Sequence, residues 1–295
     1  MKTAIVSGCD NKYFHKLFNL YNSLIKNNCL KNADFCVFSI DLKDEYIKKL
    51  SGTNTKIIEP GWDFKFKFQT HDWKKILTVR PFLKNYFKEY DNYIWLDADT
   101  WVQGNNFIND FANVSSLGKM SIIPEHDINY EINKNKYSFK KILFNLYQAQ
   151  GWSYSKYKKY FGNKIAEKLF LKPILNAGVY SLPKNSNIWS LWAAEYERVI
   201  NQSKDDYSLF MDQSSLNKIV YENLDLVNFF GTEYNYLCKN YLPLFNEEKN
   251  CFCANDYPFK KIEIIHLTDI IFDKLYDIKT INGSIIKKQI TSKSL

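Results

Sequence analysis

The chain has 295 residues, 45% of them hydrophobic and 24% charged, the balance of a soluble globule long enough to bury one large core or two small ones. No apolar run approaches the roughly 20 residues that a membrane-crossing helix requires, and the opening "MKTAIVSGCDN" turns polar too early for a signal peptide, so a cytoplasmic protein is expected. The net charge of +8 is concentrated: residues 134 to 172 carry ten lysines against one acid, Glu167, and the remaining 30 bases and 31 acids nearly cancel.

"KTAIVSG" is a short apolar run ending in glycine and predicts a buried first strand. Phe14, Leu17, Phe18, Tyr21, Leu24 and Ile25 then recur at spacings of three and four, which predicts a helix to about Asn28 with these residues on one face. "DFCVFSID" follows as a second strand, "DEYIKKL" as a helix, and "TKIIEP" as a third strand closed by Pro60 and Gly61. "DWKKILTVRPFLKNYFKEY" predicts the next helix, with Pro81 placed to kink or restart it. The strand "NYIWLDAD" comes next. Strand and helix alternating at this spacing argue for an open, mostly parallel sheet flanked by helices, with a ligand site beyond the carboxyl ends of the strands.

The second half is less regular. Residues 125 to 172 form a long Tyr/Lys/Asn-rich insertion, followed by the strand "ILNAGVYSL", the helices "NIWSLWAAEYERVI" and "DQSSLNKIVYEN", and the late strand "KIEIIHLTD". Neither an internal repeat nor a Pro/Gly-rich hinge interrupts the chain, so residues 1 to 295 are expected to form one domain with a C-terminal tail from about 273. Six cysteines are too few for a disulfide scaffold of this length, and Cys251-Phe-Cys253 is one residue too tight for the usual zinc pair; reduced core thiols are expected.

Asp97 and Asp99 stand at the end of the apolar run "NYIWL". In an extended segment alternate side chains share a face, which would put the two carboxyl groups roughly 7 Å apart. Carboxylates that close repel unless a cation lies between them, and hard oxygen ligands suit Mn²⁺ or Mg²⁺ with a substrate diphosphate completing the shell. Haloacid-dehalogenase-type phosphatases use a similar pair but want Thr or Val where this chain has Trp101, and sugar nucleotidyltransferases need a glycine-rich loop where "SGCDNKYF" offers one glycine.

With its flanking segments, "YIWLDADTWV" resembles the core motif of glycosyltransferase family 8, and an ordered series from about Ile5 to His266 is similar to that family. The resemblance implies a GT-A, Rossmann-like fold with a central mostly parallel mixed sheet, and a metal-dependent transfer of a sugar from a nucleotide-diphosphate donor, a UDP-hexose first among them, with retention of configuration. "IVSGCDNKYF" would place Asp10, Asn11 and Tyr13 near the nucleoside, and Arg80 would reach the nucleotide-sugar. "LNAGVYSL" would line the sugar pocket with Asn176 and Gly178, and "DQSSLN" would set Asp212 and Gln213 beside the anomeric centre. "EYNY" would supply a further turn at Asn235. "IIHLTD" would make His266 the third metal ligand beside Asp97 and Asp99, with Asp97 also facing the donor. After the histidine the family shows Gly and then Lys-Pro-Trp, which grip the diphosphate; here those places hold Asp269 and "IFDKL", and Lys274 is the basic residue left to substitute.

The implied partners are the nucleotide-sugar and a glycan or lipid-linked acceptor lying over the insertion, where Trp152, Tyr154, Tyr157 and Tyr160 could stack on sugar rings or, at near-helical spacing, pack as core. The lysines there, and the isoleucines among lysines in the C-terminal tail, fit peripheral contact with an anionic membrane. No nucleic-acid-binding motif accompanies them, so nucleic acid is not an expected partner. Two alternatives remain: Asp212 as the general base of an inverting transfer, and an inactive carbohydrate-binding protein of the same fold.

Overall fold

The structure is a computed structural model that describes residues 1–52, 54–68, 70–125, 152–203, 211–239, 241–268, 270–271 and 273–292. Four of the ten clustered lysines (134, 136, 140 and 141), Asp269 and most of the insertion lie outside the described residues, as does the side chain of Trp152.

Strands β1 (Thr3–Asp10), β2 (Ala33–Ile40) and β3 (Thr55–Ile58) are joined by helices α1 (Phe14–Lys26) and α2 (Asp44–Leu50), as their periodicity predicts. Next comes the segment from Asp72 to Tyr86. It is not one helix but two short ones, α3 (Lys75–Thr78) and α4 (Leu83–Tyr86), separated by a 3₁₀ turn over Arg80–Phe82. Pro81 lacks the N–H that an uninterrupted helix would need. Strands β4 (Asn92–Leu96) and β5 (Thr100–Val102) flank the aspartate pair, which therefore lies on a turn and not in an extended strand. Helix α5 (Asn106–Ser116) and strand β6 (Met120–Glu125) are two elements the periodicity did not reveal. Beyond the undescribed stretch come α6 (Trp152–Phe161), α7 (Asn163–Leu169), β7 (Ile174–Pro183), α8 (Ile188–Gln202), α9 (Met211–Glu222) and β8 (Val227–Phe229).

The large sheet runs β3-β2-β1-β4-β7-β6-β8. Pairing is parallel from β3 through β4 and between β6 and β8, and antiparallel where β7 meets β4 and β6, which makes the sheet mixed but mostly parallel. Both faces are covered, so its strands read as continuous apolar runs whose alternate residues serve opposite cores. Val6, Phe38 and Trp95 pack with Trp189, Trp192 and Leu216 on one side; Ile5, Val37 and Leu96 pack with Leu17, Leu24 and Phe111 on the other. Helix α1 buries Phe14, Leu17, Tyr21 and Leu24 as expected, but Ile25 sits at the edge of that face and is half exposed. The helix ends where Asn28 takes a left-handed conformation that asparagine tolerates.

A second, three-stranded sheet places β12 (Ile264–His266) between β5 and β9 (Tyr236–Leu237). Below it β10 (Leu244–Asn246) and β11 (Cys251–Cys253) form a hairpin, and the tail forms another, β13 (Leu275–Lys279) with β14 (Ile285–Gln289), turning at Gly283 with φ +90°. The tail's apolar residues divide: Ile278 and Ile290 are buried with Phe245 and Phe252, whereas Leu275 and Ile285 are exposed. Thr291 and Ser292 then return to α1, their hydroxyls donating to Asn19 Oδ1. All six cysteines are free and buried, and no described helix is long and apolar enough to cross a membrane.

Candidate active site

Buried strand β4 delivers its polar residues at its carboxyl end. Asp97 N–H donates to the Gly178 carbonyl at 2.8 Å, and a turn closed by Thr100 N–H on the Asp97 carbonyl at 3.0 Å presents Asp99. Leu267 N–H donates to the Asp99 carbonyl, and Thr100 pairs with His266 within the three-stranded sheet, so backbone bonds set the histidine against the aspartates.

The carboxylates divide their oxygens. Asp97 Oδ1 accepts from Arg80 Nη2 at 2.5 Å and from Trp95 Nε1 at 2.7 Å, while Oδ2 faces His266 Nε2 at 4.0 Å. Asp99 Oδ2 faces the Lys16 ammonium at 3.7 Å, while Oδ1 lies 3.2 Å from His266 Nε2. Each aspartate is thus anchored on one side and presents one oxygen to the same imidazole nitrogen; the three ligand atoms lie within 4.8 Å of one another. Two carboxylate oxygens and one imidazole nitrogen converging on a point, all supplied by rigid backbone, fit a divalent cation such as Mn²⁺ or Mg²⁺. Gly178 leaves the room, since a Cβ there would lie 2.5 Å from His266 Cε1 and 2.7 Å from Asp97 Oδ2.

The orientation of the histidine follows from its neighbours. Asn176 Oδ1 accepts the Gly178 N–H at 2.8 Å, so that atom is oxygen; the Asn235 group facing it at 3.1 Å is then the Nδ2 donor, and Asn235 Oδ1 faces His266 Nδ1 at 2.9 Å. In the neutral ring Nδ1 therefore carries the proton, and the Nε2 lone pair points to the aspartates. Burial pulls the His266 pKa down, but Asp99, its hydrogen bond and Asp97 outweigh it, leaving the group above its ordinary 6.5. Asp99 is raised by burial and lowered more strongly by His266 and Lys16, so it lies below its ordinary value.

Arg80 sits beneath the pair. Its Nη1 donates to Asp212 Oδ2 at 2.5 Å, it stacks over the Trp95 ring at 5.0 Å, and its side chain is only 7% exposed. Burial works against its charge, and Asp97 and Asp212 more than restore it. Asp212 is itself raised by burial despite Arg80. Gln213, next on α9, accepts the Ala177 N–H at 3.1 Å, and Asn176 Nδ2 donates to Glu125 at 3.1 Å. Burial pushes Glu125 up.

At the other end, Asp10 Oδ1 accepts the Tyr13 N–H, and Asn11 is tied to the Asp41 carbonyl and the Lys43 N–H; Tyr13 itself is 43% exposed. The structure therefore gathers Asp97, Asp99, His266, Arg80, Asp212, Gln213, Asn176 and Gly178 about one centre. Lys274 is not tied to that centre by any ion pair, and its ammonium lies over the Tyr276 ring at 5.6 Å. Tyr154, Tyr157 and Tyr160 are buried, Tyr157 donating to Asn217 Oδ1 at 3.1 Å, so their helical spacing marks core packing and not a sugar-stacking surface.

Three participants escaped the sequence reading. Lys16 lies on the polar side of α1, and Trp95 is two residues before Asp97 on a face read only as core. Glu125 closes "MSIIPE" as Asp97 closes "NYIWLD", an apolar run meeting an acid, and that repetition was the available signal.

The model of the family described as "Glycosyl transferase family 8" matches residues 4–268. Among solved structures the fold is similar to the galactosyltransferase LgtC in complex with donor and acceptor sugar analogs, at 15% identity over 89% of this chain and 86% of that one, with a TM-score of 0.55. It is also similar to mouse xyloside xylosyltransferase 1 (12% identity, 91% and 98% of the chains, TM-score 0.55) and to the bifunctional glycosyltransferase WbbM (16%, 90% and 45%, TM-score 0.56). No curated protein sequence matches the chain.

Proposed function

Since the chain belongs to glycosyltransferase family 8 and is a GT-A-fold glycosyltransferase, we propose that it moves a hexose from a UDP-sugar to a hydroxyl of a glycan or lipid-linked acceptor, with retention and with Mn²⁺ or Mg²⁺ bound. The observation that carries this reading is the convergence of Asp97, Asp99 and His266 within 4.8 Å at the carboxyl edge of the sheet. A divalent ion held there supplies Lewis-acid stabilisation of the departing diphosphate.

The chain's own residues have separable tasks. Tyr13 offers its ring to the base, with Asp10 and Asn11 shaping the turn that presents it. Asn235 fixes the histidine. Arg80 neutralises Asp97 and Asp212 and holds Asp97 by one oxygen, and it answers to these carboxylates before any donor. Asn176, Gln213 and Glu125 border the side of the cluster where the sugar would lie, with Gly178 opening the space. In the transfer, the bond between C1 and the diphosphate oxygen breaks and its electron pair leaves with the nucleoside diphosphate. The acceptor oxygen bonds to C1 on the same face, and its proton passes to a diphosphate oxygen. Asp212 is 1% exposed and paired with Arg80, which supports a positioning role for it over that of a base in an inverting transfer. Exposed Lys158, Lys159, Lys164 and Lys168 on α6 and α7 support an acidic or membrane-bound acceptor.

The test is proton NMR of the protein with Mn²⁺ and a panel of UDP-, GDP- and CMP-sugars, beside Asp99→Ala. Metal-dependent hydrolysis of one donor that first releases the α-anomer from an α-linked sugar, and is lost in the variant, is the expected result. Absence of turnover and of metal-dependent nucleotide binding would refute the reading.

A further inference from the structure

We propose that Lys16 is the side chain that grips the donor's diphosphate, an inference that rests on the nucleotide-sugar reading above. Its ammonium spans the two ends of the site: it lies 4.8 Å from the Tyr13 ring centre and 3.7 Å from Asp99 Oδ2. A nucleotide-sugar with its base on Tyr13 and its metal-bound end at Asp97, Asp99 and His266 must carry its two phosphates between them. Lys16 stands on that line, one helical turn after Tyr13, so helix α1 fixes the spacing.

The two cations that the sequence pointed to are committed elsewhere. Arg80 gives one terminal nitrogen to Asp97 and the other to Asp212, both at 2.5 Å. Lys274 lies over Tyr276. Lys16 has three N–H donors and, besides the Tyr13 ring, two long polar contacts, the Asp99 oxygen at 3.7 Å and the Thr268 carbonyl at 3.3 Å. A charge-assisted bond to a phosphate oxygen would close to about 2.8 Å, so a diphosphate is the better partner for this ammonium. The Thr268 carbonyl belongs to the turn just after His266, with Thr268 at φ +54°, so the contact ties α1 to the loop that follows the metal ligand. Because negative charge on the diphosphate grows as the sugar leaves, the contact strengthens in the transition state, and its loss should lower kcat as well as raise KM.

Lys16→Met and Lys16→Arg are to be compared with the wild-type chain by ligand-observed NMR with UDP and uridine, and GDP and guanosine, in Mn²⁺, and by Mn²⁺ titration alone. The expected result is a Kd for the nucleoside diphosphate raised about tenfold or more in Lys16→Met, the nucleoside and Mn²⁺ affinities unchanged, and most of the loss recovered in Lys16→Arg. An unchanged diphosphate Kd would overturn the proposal. So would a parallel loss of nucleoside binding, which would make Lys16 a support for Tyr13, or of Mn²⁺ binding, which would make it a support for Asp99. A wild-type chain that binds none of these nucleotides refutes the nucleotide-sugar reading itself, and this inference with it.

Discussion

A methyl group at residue 178 would fall inside the metal cluster. The Cβ of Gly178→Ala would lie 2.5 Å from His266 Cε1, 2.7 Å from Asp97 Oδ2 and 2.8 Å from Asn176 Oδ1, where ordinary contact begins at 3.4 Å. The imidazole would have to retreat by about 0.9 Å and the carboxylate by about 0.7 Å, against a tolerance of roughly 0.2 Å in metal–ligand distances. Neither is free to do so: Asp97 is held by Arg80 and Trp95, and His266 by Asn235 and by its strand. Displacing two of the three ligands should weaken Mn²⁺ binding by at least about 100-fold, or about 2.7 kcal/mol, and overpacking should remove a further ~1–3 kcal/mol of fold stability. Free Mn²⁺ followed by electron paramagnetic resonance measures the first, and calorimetric melting the second. Gly61→Ala is the control, because a Cβ there meets nothing within 4 Å. A Gly178→Ala protein whose Mn²⁺ Kd stays within about threefold of wild type would refute the assignment of this cluster as the metal site.

Arg80→Met should cost roughly 3–5 kcal/mol in urea unfolding by stranding buried Asp212 and partly buried Asp97, with part of the loss restored in Arg80→Met/Asp212→Asn. Asn235→Leu should weaken Mn²⁺ binding by about 10–100-fold with the far-ultraviolet circular dichroism unchanged, because it frees the His266 ring without touching a ligand. Mn²⁺ affinity should climb with pH through the raised pKa of His266 and level off above it, since the Nε2 proton must leave before the lone pair can bind. The metal-free fold should behave oppositely, with the His266–Asp99 attraction fully present below pH 6.5 and lost as pH rises through the raised value; calorimetry across that range, with and without Mn²⁺, checks both.

Much of this architecture could be read from spacing alone. The strands β1, β2, β4 and β7 are apolar runs of ordinary length bounded by polar turns, and α2 and α8 declare their faces by periodicity. The segment around Arg80 was harder because Pro81 breaks the pattern, and at that break the guanidinium meets two carboxylates, buried Asp212 and partly buried Asp97. For Tyr154, Tyr157 and Tyr160 the 3.6-residue period meant burial, the first two against Ala166 and Leu169 and Tyr160 in the main core, as that period usually does. At the site, residue types with metal chemistry were visible because they close apolar strands. Lys16 was invisible for the opposite reason: it is one lysine of an amphipathic helix, and its partner Thr268 lies 252 residues away.

The small sheet of β5, β12 and β9 has a consequence for how the molecule assembles. Asp99 precedes β5, Asn235 precedes β9, and His266 ends β12, which is hydrogen-bonded between the other two. A chain in which only the amino-terminal parallel strands had formed would carry both aspartates but no imidazole and no orienting amide. Capture of the ion by all three ligands therefore cannot precede the insertion of β12, the strand pairing that joins residues near 100 and 265 across a long loop. An ion present at a hundredfold excess over its Kd would favour the completed state by about 2.7 kcal/mol. The cation that readies the donor would then also act as a latch on the carboxyl-terminal part of the chain, and its uptake would report the closure of that small sheet.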